Sequence, residues 1–159
     1  MVDLSGWIKD LHQDSPRWMA EMKDLSLSAK TVNFITENLR GEHVEVPEAI
    51  SRLGNIHLNG AVSGRGIASI DGYNLLTTDA GSVRLKYHLN EQRQFNGKID
   101  TEGFQLGHVL DDERLGVLSS QIELCGTLQA GNAKALQADG IIQQLDYNSY
   151  SYRNIKNMF

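Results

Sequence analysis

The sequence holds one cysteine, Cys125, and two prolines, Pro16 and Pro47. A lone cysteine excludes an intrachain disulfide framework, so packing and hydrogen bonds must hold the fold. Set between Leu124 and Gly126, Cys125 is expected to be a small, half-buried side chain. Two prolines leave no proline-rich linker. Positive charge is also short: 15 Lys and Arg against 20 Asp and Glu give a net charge of −5. That is the wrong sign for a general nucleic-acid binder, which needs a basic stripe to displace counterions. The cations are too scattered for a polybasic membrane patch. No apolar run approaches the roughly 20 residues of a membrane-spanning helix, and no signal-peptide pattern opens the sequence.

The groups that carry chemistry are equally sparse. The five histidines, His12, His43, His57, His88 and His108, show no metal-ligand spacing with Cys, Asp or Glu. Asp111-Asp112-Glu113 lacks the frame of a calcium loop, so a solvated turn is expected. The glycine-rich stretch Gly60 to Gly66 has no Lys-Ser/Thr pair and no helix after it, which makes it a turn or bulge. Ser119 and Ser120 lack the glycines of a nucleophile elbow. Tyr147, Tyr150 and Tyr152 beside Arg153 read as strand aromatics on both faces of a sheet. No catalytic residue, no metal and no cofactor is expected.

What is present is alternation, punctuated by glycine. The first 53 residues read as mixed: a strand tail at Met1 to Gly6, a helical turn at Trp7 to Leu11 and a turn or helix start at Ser15-Pro16. A short strand at Leu25 to Ala29, a helix at Thr31 to Leu39 capped by Gly41, and a short helix at Pro47 to Leu53 follow. From Gly54 onward period two takes over, with strands at Asn55 to Ser63, Leu75 to Asp79, Val83 to Leu89 and Gln94 to Thr101. A loop holding a short helix is expected over Phe104 to Gly116, then strands at Val117 to Gln129, Leu136 to Tyr147 and Tyr150 to Phe159. Short turns between them predict an antiparallel meander. The expected fold is mainly β: one curved antiparallel sheet over 54–159, an open β-groove continuous with residues 1–53.

One face of that sheet is apolar. It carries Ile56, Leu58, Gly60 and Val62, then Val83, Leu85, Tyr87 and Leu89, then Phe95, Gly97 and Ile99. Ile122, Leu124, Gly126 and Leu128 continue it, followed by Leu136, Gly140 and Ile142. Glycine recurs where a large apolar side chain belongs. Strand glycine marks a bend or a close approach, so these positions are expected to let the sheet curl inward round an apolar gutter. Alanine there is expected to cost little, because strand glycine is conformationally expensive. His57, on the other face, is expected to point to water.

The stretches "LGNIHLNGAVSGRG", "FNGKIDTEGFQLGHVLDDERLGVLSSQIELCGTLQ" and "ADGIIQQLDYNSYSYRNI" resemble the TamB-like (translocation and assembly module) proteins of the AsmA-like superfamily. Phe104-Gln105-Leu106-Gly107, Leu110, Leu115-Gly116 and the strand from Ile122 to Gly126 carry the likeness, with Tyr147-x-x-Tyr150-x-Tyr152-x-Asn154-Ile155 as a second signature. It covers roughly residues 50–159. The resemblance implies a periplasmic piece of a longer protein anchored in the inner membrane, curled as a "β-taco" with a hydrophobic inside. It implies phospholipid acyl chains as cargo between the two membranes and, for the whole protein, an outer-membrane β-barrel partner. It brings no catalytic residue. A scaffold that pairs its strand edges with other chains is the alternative, and edge-to-edge self-association of this chain is expected.

Overall fold

The computed structural model describes residues 3–28, 48–129 and 132–158. Nine antiparallel strands form one open sheet in plain sequence order. They are β1 (Asp3–Lys9), β2 (Arg17–Leu27), β3 (Ile56–Arg65), β4 (Ser69–Thr78) and β5 (Gly81–Leu89). β6 (Gln94–Gln105), β7 (Leu115–Gln129), β8 (Asn132–Tyr147) and β9 (Tyr150–Met158) complete it. Among the described residues two short helices interrupt the meander, α1 (Glu48–Ser51) before β3 and α2 (Leu106–Leu110) between β6 and β7. The expected mainly-β antiparallel sheet is what the chain adopts. The expected helix at Thr31 to Leu39, its Gly41 cap and Ala29 lie outside the described residues.

Local chemistry explains the hairpins. Asn148 and Ser149 both take positive φ (50° and 65°) between β8 and β9, the pair of left-handed residues that a type I′ turn requires. Between β5 and β6, Arg93 at φ 60° closes the turn, and the Asn90 side-chain oxygen accepts from the Gln94 amide at 2.9 Å.

Three expectations change in the first half. Trp7 and Ile8 belong to β1 rather than to a helical turn, because β1 pairs with β2 through all of its seven residues. Ser15-Pro16 is a turn, after which β2 runs from Arg17. β2 is therefore longer than the strand expected at Leu25. Asp24 at φ 55° sits where the register to β3 shifts, between Met22 and Leu25, and the bulge inverts the apolar alternation midway. β4 begins at Ser69, not Leu75: its first inward positions, Ile70, Gly72 and Asn74, are too mixed to read as an apolar row.

Burial is concentrated at one end of the sheet. Ile56, Thr78, Ala80, Val109 and Ser120 are buried there. Both helix-bearing connections lie at that end, and Arg52 ties them, reaching Glu48 at 2.9 Å and Asp111 at 3.0 Å. The Asp79 carboxylate accepts from the Asn55 amide at 2.9 Å, and the Leu53 carbonyl from the Asp79 amide at 3.1 Å. Helices and the β4–β5 turn thus cap this end. The broad faces carry no second layer among the described residues.

Candidate functional site

Residues directly opposed in an antiparallel pair stand on the same face, so the register assigns faces strand by strand. Starting from Ile56, Leu58, Gly60 and Val62 on β3, the partners on β4 are Thr78, Leu76, Asn74 and Gly72. Those pair with Val83, Leu85 and Tyr87 of β5, and Ile70 with Leu89. Leu85, Tyr87 and Leu89 oppose Ile99, Gly97 and Phe95 of β6, which oppose Ile122, Leu124 and Gly126 of β7. Ile122 opposes Gly140, and Ser120 opposes Ile142. Strand alternation adds Leu128 and Leu136. On the other side, Leu27, Leu25, Met22, Ala20 and Trp18 of β2 continue the face, then Leu4, Gly6 and Ile8 of β1. Every residue assigned to the groove from the sequence lies on this one face.

The face is half-buried in its middle strands and open at its margins. Leu4 is 61% exposed and Ile8 60% at the β1 side, and Tyr150 is 70% exposed at the β9 side. Tyr147 opposes Tyr150, and Leu145 opposes Tyr152. The three tyrosines therefore share the apolar face, against the expectation that they divide between faces. The register shift in β8 before Leu145 resets the alternation that suggested otherwise, and the two-residue turn sets Tyr150 directly opposite Tyr147.

The glycines have more specific work than curvature alone. Tyr87 lies over Gly72, where a Cβ would fall within the phenol ring. Trp18 lies over Gly64, its ring atoms 2.8 Å from where a Cβ would stand, and donates from Nε1 to the Gly66 carbonyl at 2.7 Å. Phe95 is directly opposite Gly126. Trp18, Tyr87 and Phe95 on this face thus fall opposite glycine, whereas Tyr147, Tyr150 and Tyr152 do not. At Gly60 the chain takes φ 138°, and a Cβ would collide with the Tyr73 carbonyl. At Gly140 a Cβ would stand 2.6 Å from the Gln121 carbonyl oxygen. The expectation that alanine is cheap at these glycines fails at both. Gly97 is the exception, with only ordinary contacts from 3.4 Å.

Polar side chains interrupt the apolar face: Thr78 and the Thr101–Ser120 hydroxyl pair, 2.9 Å apart, toward the capped end, and Asn74 with Tyr87 in the middle. Asn74 is 5% exposed, opposite Gly60 and Leu85. Its Oδ1 accepts from the Tyr87 hydroxyl at 3.0 Å, while its Nδ2 has no protein partner. Burial pushes the Tyr87 phenol up from its ordinary pKa. Sequence reasoning missed Asn74, because an asparagine in Gly72-Tyr73-Asn74 reads as a turn residue.

The opposite face is polar, and it bears a depression of about 710 Å³ reaching from Met19 on β2 to Asp139 on β8. Tyr73, Lys86, Lys98 and Glu123 line it from the polar face, and Gly72, Tyr87, Gly97 and Leu124 of the apolar rows also border it. A twisted sheet is saddle-shaped and can be concave on either face along different diagonals. His88 pairs with Asp71 at 2.6 Å on this side. His57 points outward as expected, but it is held by Asp24 at 3.0 Å and Ser26 at 3.1 Å. Cys125 is exposed here, its Sγ 3.6 Å from Gln137 Oε1, rather than half-buried; it faces away from the apolar side chains that flank it in sequence.

Among the described residues no three His, Cys, Asp or Glu side chains gather as a metal ion requires. No described helix is long and apolar enough to cross a membrane. Compared with known proteins, the chain matches no family model, no curated protein and no solved structure.

Proposed function

We propose that this chain is a non-enzymatic, acyl-chain-carrying sheet: a periplasmic segment of a TamB-like envelope protein that moves phospholipid between inner and outer membranes. One observation carries the reading. A continuous apolar face runs across nine strands, and no second layer covers it among the described residues. A face of that kind in water needs a partner, and an acyl chain supplies one without demanding hydrogen bonds, each buried CH₂ contributing about 0.8 kcal/mol. Between the two marginal strands the backbone is satisfied within the ladders, so the face there asks chiefly for apolar surface. Asn74 with Tyr87 and Thr101 with Ser120 are polar steps along it.

The alternative is a scaffold that assists outer-membrane protein assembly. It is favoured by β1 and β9, the strands at the two margins of the sheet among the described residues, whose outward N–H and C=O groups can accept an added strand. The experiment that separates the two is binding of a fluorescent phospholipid to the parent and to Gly97→Leu. Gly97 lies on the apolar face, where a Cβ meets only ordinary contacts, so a leucine there projects into the path of a lipid tail. Loss of binding in this variant supports the carrier. Unchanged binding in a Gly97→Leu protein shown by its thermal melt to be folded removes it, and absence of binding in the parent leaves the scaffold.

A further inference from the structure

We infer that β1 is a self-pairing edge: two copies of this chain join β1 to β1 about a two-fold axis at Gly6. The inference does not depend on what the apolar face carries.

The strand reads Asp3-Leu4-Ser5-Gly6-Trp7-Ile8-Lys9, and all seven residues are exposed. Pairing it antiparallel with a second copy, Gly6 opposite Gly6, sets Leu4 against Ile8, Ser5 against Trp7 and Asp3 against Lys9. Each of those pairs occurs twice by symmetry. Leu4 and Ile8 belong to the apolar face, and Asp3 and Lys9 to the polar one. An axis normal to the sheet keeps each face on its own side, so the apolar face continues unbroken from copy to copy. Moving the axis one residue either way shortens the ladder to five pairs and separates Asp3 from Lys9. The sequence of β1 therefore selects one register. Asp3 has no ion pair among the described residues, and Lys9 lies 4.8 Å from the Trp7 ring centroid, on the face where Asp3 of a second copy would arrive.

The other edge lacks these features. β9 contains Arg153 and Lys156 and no acid, so pairing it with itself would bring four cations into one ladder. Asn154 at φ 55° also breaks its extended run, a common protection of sheet edges. Joining β9 of one copy to β1 of the next fails on direction. With nine antiparallel strands, β1 and β9 run the same way, so head-to-tail stacking of copies needs a parallel ladder. Parallel pairing is the slightly weaker kind, and repetition would give an open filament rather than a closed pair.

The test is sedimentation over a concentration series for the parent, Asp3→Lys, Lys9→Asp and the double variant. The parent is expected to show a monomer–dimer equilibrium that stops at the dimer, because seven exposed residues give a small interface. Either single reversal makes both charge pairs repulsive and weakens dimerisation about tenfold. The double variant restores it, since the two exchanged charges again meet with opposite sign across the axis. In parallel, hydrogen exchange on the parent should show β1 amides gaining protection with concentration while β9 amides do not. A strict monomer, growth into filaments, protection at β9, or a double variant no better than the singles each overturns the inference.

Discussion

At the scale of single residues, glycine divides into positions that tolerate a side chain and positions that do not. Gly60 combines φ 138° with a carbonyl where its Cβ would stand, so Gly60→Ala is expected to destabilise by about 1–3 kcal/mol. Gly97→Ala, meeting only ordinary contacts, is expected to be neutral or slightly stabilising. Urea denaturation of both variants checks the contrast; equal midpoints would mean the φ of Gly60 is not required by the fold. Acid supplies a second prediction at this scale. Hydrogen bonds from the Arg114 side chain and backbone hold Asp112 at about 2, below the usual 3.8. Its folded-state value is depressed, so its stabilising contribution is present above the ordinary carboxylate range and is lost as pH falls from about 4 toward 2. Asp146 shifts in the same direction, first through Ser151 and then Gln144. Thermal melts from about pH 6 to 2 should therefore fall below about pH 4. Asp112→Asn should show a shallower fall; an unchanged slope would mean that the Arg114 contact does not survive in solution.

At the scale of elements, the strands that kept a strict period of two were legible and those with bulges were not. β5 declares itself by Val83, Leu85, Tyr87 and Leu89 against Arg84, Lys86 and His88, and it pairs without a slip on both sides. β2 hid its length, because the irregularity at Asp24 moves the apolar residues from even to odd positions. The same device in β8, upstream of Leu145, misassigned the three tyrosines. The shared face of β3, β5, β6 and β7 was legible because their paired stretches carry no slip from Ile56 to Val62, Val83 to Leu89, Phe95 to Ile99 and Ile122 to Gly126. What alternation cannot carry is contact. That Tyr87 lies over Gly72 and reaches Asn74 depends on the neighbouring strand's register, which no single strand encodes. Cys125 failed for a simpler reason: its neighbours are apolar, but alternation turns it to the other face.

For the whole molecule, stability is distributed unevenly, and the distribution separates the two functional readings. The buried residues gather where α1, α2 and the β4–β5 turn cap the sheet, whereas β1 is exposed along its length and β9 along nearly all the length described. Amides of β4 to β7 near that capped end are therefore expected to exchange slowest, and those of β1 and β9 fastest, because local opening follows contact and burial. Adding phospholipid should leave the free edge amides as they were, since an acyl chain neither donates to nor accepts from a backbone. Its signature belongs instead to side chains on the apolar face, above all Leu85, Ile99, Ile122 and Leu124, whose methyl resonances should shift together. An added strand from a client protein has the opposite signature: protected amides along β1 or β9 with central methyls unmoved. A lipid titration that protects an edge and leaves those four side chains unchanged would transfer the function from the face of the sheet to its rim.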